Sequence, residues 1–126
     1  MEIDPSLVQK YPGLDVLEFT IPQVVVKKGR AELDLFKKSK QEEIRKRIRS
    51  LDDVRDLPII RAYRDFYWKV GIDPTKTRPA AEALVRRIVG GKELPTINTL
   101  VDSYNLASID TMVSIAAFDL SKVNQA

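Results

Sequence analysis

The stretch Ile97–Asn105 reads INTLVDSYN, and its apolar residues recur at the spacing of an α-helix. The residues that would form the buried face are Ile97, Leu100, Val101 and Tyr104. Three short polar side chains, Asn98, Asp102 and Asn105, follow at intervals of four and three residues. Positions three and four apart are neighbours on a helix, so these side chains share one side. The sequence therefore predicts a helix over residues 96–109 that carries a polar stripe.

Two interpretations of this stripe are open. Amide and carboxylate groups offer donors and acceptors together, so Asn98, Asp102 and Asn105 are candidates for a pocket that holds a polar substrate. Buried polar side chains also commonly bond to backbone groups, in which case the stripe would be a scaffold that fixes nearby loops. Spacing alone favours the scaffold.

The rest of the chain predicts helices in the middle and strands at both ends. Turn and cap signals mark helices that start at Asp4-Pro5, follow Lys28-Gly29-Arg30, begin at Pro58 and end at Gly90-Gly91. Residues 14–28 and 114–123 have strand-like sequence, although Pro22 interrupts the first segment. Strands at the ends of a helical middle indicate an α+β fold. The 126 residues are expected to form one domain.

Composition limits the chemistry that the chain can perform. It contains no histidine, the residue that is the commonest general base and zinc ligand. It also contains no cysteine, so thiolate ligands and a cysteine nucleophile are excluded. We expect no metal and no cofactor, because no ligand spacing or nucleotide fingerprint is present. The chain shows neither a signal peptide nor an apolar run long enough to span a membrane, so we expect a cytoplasmic protein without a membrane partner.

Positive charge is concentrated in one segment. Residues 27–49 contain ten Lys or Arg against four Asp or Glu, whereas acidic residues outnumber basic ones elsewhere. Such a segment is either a solvated helix face or a surface for a polyanion such as RNA. The candidate RNA-binding residues here are Lys37, Lys38, Arg45 and Arg49. Further candidates are Lys76 and Arg78, in a loop that leads into a helix, and Arg86 and Arg87, on the polar side of that helix.

Three blocks in the second half of the chain resemble a known domain. They read GIDPTKTRPAAEALVRRI, LPTINTLVDSYNLASI and AAFDLSKV, and lie in this order within residues 63–123. They resemble the B3/B4 domain, which occurs in the beta chain of phenylalanyl-tRNA synthetase and in stand-alone proteins. The resemblance implies an α+β domain with a sandwich-like core. In the synthetase this domain hydrolyses mischarged tRNA through a positioned water.

Only some residues of the synthetase's editing pocket have counterparts in this sequence. Asn98, Val101, Asp102 and Asn105 match its Asn, Val-Asp, Asn motif, and Asn105 corresponds to a pocket residue. A small hydroxyl residue precedes that Asn in the synthetase, where this chain has Tyr104. The pocket histidine corresponds to Ala116, and a pocket glutamate lies beyond the last residue of this chain. The chain thus resembles a shorter domain that lacks the family's C-terminal portion.

Three functions remain open from the sequence. The first is binding of tRNA or other RNA without catalysis, which the missing histidine favours. The second is trans-editing, the water-mediated hydrolysis of mischarged aminoacyl-tRNA, for which no catalytic residue is assigned. The third is a small-molecule or protein-interaction domain that keeps only the fold. An exposed edge strand would also favour a homodimer or a partner chain that completes the fold.

Overall fold

The structure is a computed structural model that describes residues 2–123, and all regular secondary structure in that range is helical. The helices are α1 Pro5–Lys10, α2 Ala31–Arg47, α3 Leu51–Arg55, α4 Pro58–Lys69, α5 Ala80–Val89 and α6 Thr99–Thr111, followed by a 3-10 helix at Leu120–Lys122. No helix of residues 2–123 has the length and apolar character needed to cross a membrane.

Local signals set several helix ends. The Asp4 carboxylate accepts a hydrogen bond from the Ser6 N–H at 2.8 Å, and Pro5 occupies the first helical position of α1. Pro58 begins α4 in the same way. Gly91, with a φ of 93°, follows the end of α5 in a conformation that favours glycine. These boundaries agree with the sequence-based predictions.

The prediction of strands at both ends of the chain, and with it the α+β fold class, is wrong for the described residues. Residues 14–28 carry no helix or strand and lie outside the hydrophobic core. Residues 114–119 carry no strand either, and Leu120–Lys122 is a 3-10 helix. A strand needs a neighbouring segment for its backbone groups, and the pair of hydrogen bonds between Lys27 and Thr99 is too short to form a ladder. Leu51–Arg55 forms the short helix α3, with Ser50 as its N-cap.

Helix α5 is central to the fold. It packs against α2, α3 and α6, and α2 also packs against α6. Burial of apolar side chains between these helices is the main stabilising term. The buried core residues are Ile44, Ile48, Val54, Val85, Ile88, Leu94, Leu106, Ile109 and Met112. This arrangement holds the start of α6 beside α2 and exposes the polar side of α5.

Candidate nucleic-acid interface and polar stripe

Helix α6 carries the predicted stripe, and two of its three polar side chains hold the backbone in place. Asn98 is the N-cap, and its side-chain oxygen accepts the Val101 N–H at 2.8 Å. Asp102 is 1% exposed, and its Oδ1 accepts the Ile97 N–H at 3.0 Å. These bonds give both side chains the scaffold role that spacing alone favoured.

The second oxygen of Asp102 faces a buried cation. Lys37, on α2, is 5% exposed, and its Nζ lies 3.5 Å from Asp102 Oδ2. The same ammonium donates to the Pro95 carbonyl at 3.2 Å and to Thr96 Oγ1 at 3.1 Å. Lys37 is therefore enclosed by the loop before α6, and its charge is directed into the fold.

Asn105 differs from its two neighbours on the stripe. It is half-buried, and its side chain forms no hydrogen bond with any residue from 2 to 123. An amide in this position keeps a donor and an acceptor available to water or to a ligand. Asn105 is therefore the stripe residue whose polar groups the fold leaves unused.

An open groove of about 550 Å³ lies along the polar side of α5. Its charged lining residues are all cations: Arg78, Arg86, Arg87 and Lys92. The apolar part of the lining is formed by Leu51, Ala83, Leu84 and Pro95, with Gly90 at the end of α5. The groove thus combines a single sign of charge with an apolar lining, a combination that attracts anions.

Arg86 sits where cations are crowded. Burial, and then the neighbouring charge of Arg78, lowers the pKa of its guanidinium. Its anionic contact is Glu82, 3.7 Å away and fully buried. Glu82 is shared with Arg64 of α4, which donates to both of its carboxylate oxygens, and this hydrogen bonding raises the pKa of Arg64. One buried carboxylate therefore serves two guanidinium groups, and positive charge remains in the groove.

The sequence analysis did not identify the Arg64–Glu82 pair. Glu82 lies between Ala81 and Val85, and all three are fully buried. A glutamate on the apolar face of a helix is a sequence signal that a buried cation lies opposite it. The contribution of Leu51 and Pro95 to the groove has no comparable signal, because it depends on how α3 and the loop before α6 pack.

The remaining predicted RNA-binding residues are distributed over the surface. Arg45 Nε donates to the Ile88 carbonyl at 3.2 Å and Arg45 Nη2 to the Lys92 carbonyl at 3.1 Å, so this side chain fastens α2 to the end of α5. Lys38, Arg49 and Lys76 are exposed. Arg87 lines the groove while its Nε donates to the Glu93 carbonyl at 2.6 Å. The groove thus brings together Arg78, Arg86 and Arg87, but it does not include the α2 lysines.

Comparison with known proteins identifies the family. Searches of the curated proteins and of the solved structures gave no match. A model of the B3/4 domain matches residues 62–126, slightly more than half of the chain, and confirms the resemblance seen in the sequence. The matched region contains α5, the groove cations and the α6 stripe. The chain belongs to the B3/4 domain family.

Proposed function

We propose that this B3/4 domain chain binds tRNA or another RNA through the cationic groove along α5. The observation that carries the proposal is the lining of the groove, in which all four charged side chains are cations. Phosphate groups would neutralise a charge excess that Glu82 alone leaves in place. The proposal includes a cytoplasmic location, where tRNA is used.

The apolar residues that line the groove support RNA as the ligand over a simple inorganic anion. Leu51, Leu84 and Pro95 offer surface to a base or a ribose while the arginines contact phosphates. Arg49 lies two residues before Leu51, and Lys76 lies two residues before Arg78. Both are exposed and close in sequence to a groove residue, so each is a candidate for a phosphate contact outside the groove.

The test is tRNA binding measured by fluorescence anisotropy across a series of salt concentrations. The slope of log K against log salt is roughly −0.7 to −0.9 for each phosphate neutralised, so two contacts contribute more than about tenfold in affinity at 0.1 M salt relative to 1 M salt. We expect a loss of this size in the double variant Arg78→Glu/Lys92→Glu. Neither side chain takes part in a hydrogen bond or ion pair with another residue from 2 to 123, so the fold should persist.

The matched control is Lys69→Glu/Lys122→Glu, which changes the net charge equally but lies outside the groove. We expect it to lose much less affinity than the groove variant. Equal losses would assign the binding to net charge, and absence of binding near physiological salt would leave the chain as a domain that keeps only the fold.

A second candidate function is hydrolysis of mischarged aminoacyl-tRNA. It is favoured by Asn105, whose half-buried amide has no partner among residues 2–123 and could orient a water molecule. Deacylation of tyrosyl- and other mischarged tRNAs tests it directly. Activity that disappears in Asn105→Ala but persists in Ser103→Ala would establish hydrolysis, whereas RNA binding without turnover would leave a binding domain.

A further inference from the structure

The segment before α2 consists of two exposed arms joined by a turn. Arm 1 is residues 15–21 and arm 2 is residues 24–28. In arm 1, Leu17 is 80% and Phe19 is 77% exposed, and in arm 2 Val25 is 75% exposed. Apart from Glu18, no residue of arm 1 forms a hydrogen bond with another residue between 2 and 123. The arms carry no helix or strand, and their apolar side chains alternate with polar ones as in a strand, so they are able to join a sheet.

The two arms do not pair with each other because of the turn between them. Pro22 is followed by Gln23 with a φ of 57°, the residue pattern of a type II turn. Turns of type II splay the strands on either side, whereas tight hairpins use the mirror-image types. The arms are therefore adjacent in sequence, but their connection holds them apart.

Arm 2 has one occupied edge and one open edge. The Lys27 N–H donates to Thr99 Oγ1 at 2.9 Å, and its carbonyl accepts the Thr99 N–H at 2.8 Å. In extended chain both backbone groups of a residue point to the same side, and the next residue points to the opposite side. By this alternation the backbone groups of Val24, Val26 and Lys28 belong to the side opposite α6, and none of them forms a hydrogen bond with another residue from 2 to 123.

The arms carry opposite charges. Arm 1 contains Asp15 and Glu18, whereas Lys27, Lys28 and Arg30 lie at the far end of arm 2. We propose that the open edge of arm 2 binds arm 1 of a second copy of this chain, and that the exchange is reciprocal in a two-fold dimer. A two-fold interface uses the same surface on both copies, so each dimer contains this pairing twice.

One antiparallel register satisfies charge and hydrophobicity together. With Phe19 opposite Val26 of the second copy, Ile21 lies opposite Val24 and Glu18 lies opposite Lys27. In the same register Asp15 lies opposite Arg30, and Leu17 lies opposite Lys28, whose methylene groups can cover it. Val24, Val26 and Lys28 then occupy the positions that exchange backbone hydrogen bonds, which is the side that Thr99 leaves open. Shifting the register by one residue places Phe19 opposite a lysine or Glu18 opposite a valine, and loses one of these pairings.

The experiment compares two charge-reversed variants of the full chain, without RNA, by light scattering across a dilution series. The variants are Asp15→Lys/Glu18→Lys and Lys27→Glu/Arg30→Glu. Like charges would face each other in either homodimer, so we expect the mass of a dimer for the unaltered chain and of a monomer for each variant. In an equimolar mixture of the two variants, opposite charges face each other at both pairings. Light scattering should therefore give twice the molar mass that each variant shows alone.

The control is Lys46→Glu/Lys69→Glu, which alters two exposed lysines on α2 and α4 and should remain dimeric. Far-UV circular dichroism verifies the helical fold in every sample. A monomeric unaltered chain overturns the proposal, as do variants that stay dimeric or a mixture that stays monomeric. The readout contains no RNA, so it is independent of the proposed function.

Discussion

Asp102 is one of the residues through which the sequence resembles the B3/B4 domain. Both oxygens of its side chain contact groups inside the fold. Its carboxylate holds the Ile97 N–H and faces the buried Lys37 ammonium. Removing one member of a buried ion pair leaves the other charge unpaired, which costs about 3–5 kcal/mol. We expect Asp102→Ala to lower the free energy of unfolding in urea by this order. A stable Asp102→Ala protein that has lost RNA binding would instead assign the residue to the ligand.

Asn105 provides the contrast on the same helix. Because its side chain has no hydrogen bond within residues 2–123, Asn105→Ala should change the free energy of unfolding by less than about 1 kcal/mol. Urea unfolding of Asn105→Ala and Asp102→Ala side by side measures the difference. If Asn105→Ala proves equally destabilising, the stripe is a scaffold throughout.

The exposed pair Lys40–Asp110 makes stability depend on pH at the acid end. The Nζ of Lys40 lies 2.6 Å from Asp110 Oδ1, and this hydrogen bond lowers the pKa of Asp110 from its ordinary 3.8. Its stabilisation is present above the unfolded pKa and is lost as pH falls through the folded value. As the pH falls below about 4, the melting temperature of Asp110→Asn should therefore decrease less than that of the unaltered chain. Parallel acid curves for the two proteins would contradict this.

Individual side-chain roles were predictable only where the partner is close in sequence. Spacing placed Asn98, Asp102 and Asn105 on one helix, and the structure agrees. It could not show that Lys37, at a separation of 65 residues, lies against Asp102. Lys37 has the same sequence character as Lys38 beside it, yet one is buried and the other is exposed. Packing between α2 and α6 decides this difference, and no local pattern contains it.

Among the helices, α6 depends on its first turn. Asn98 is its N-cap, and such caps typically contribute about 1 kcal/mol relative to alanine. Asn98→Ala should reduce the free energy of unfolding by this amount, whereas Asn98→Asp, which also accepts from the Val101 N–H, should retain it. Urea denaturation of both variants measures the effect. Equal losses in the two would show that the amide has another partner.

Helices were predictable and strands were not, for a physical reason. Caps and prolines act within a few residues, so α1, α4 and the end of α5 could be located from sequence. The alternation at Leu17, Phe19 and Ile21 is real, but a strand exists only when a neighbouring segment bonds to it. Within residues 2–123 the nearest contact is the Lys27–Thr99 pair, which is too short to form a sheet.

No residue of either arm lines the groove, so the proposed dimerisation and RNA binding are linked through valency. When a long RNA can span both grooves of one dimer, it binds about a hundredfold or more tighter than to one groove. Phe19→Lys places a lysine opposite Val26 of the second copy, so we expect this variant to be monomeric and to bind long RNA more weakly than the unaltered chain. It should bind an RNA of about six nucleotides, which fills a single site, with the same affinity.

Phe118→Lys is the matched control for this prediction, because Phe118 is 75% exposed and lies outside both arms. It adds the same positive charge but leaves the proposed dimer surface intact, so it should bind long RNA at least as tightly as the unaltered chain. Anisotropy titrations of the three proteins with both RNA lengths measure the effect. Loss of affinity for the short RNA in Phe19→Lys would place arm 1 in contact with RNA rather than with a second copy. Equal binding of the long RNA by all three would show that the two grooves of a dimer do not act together.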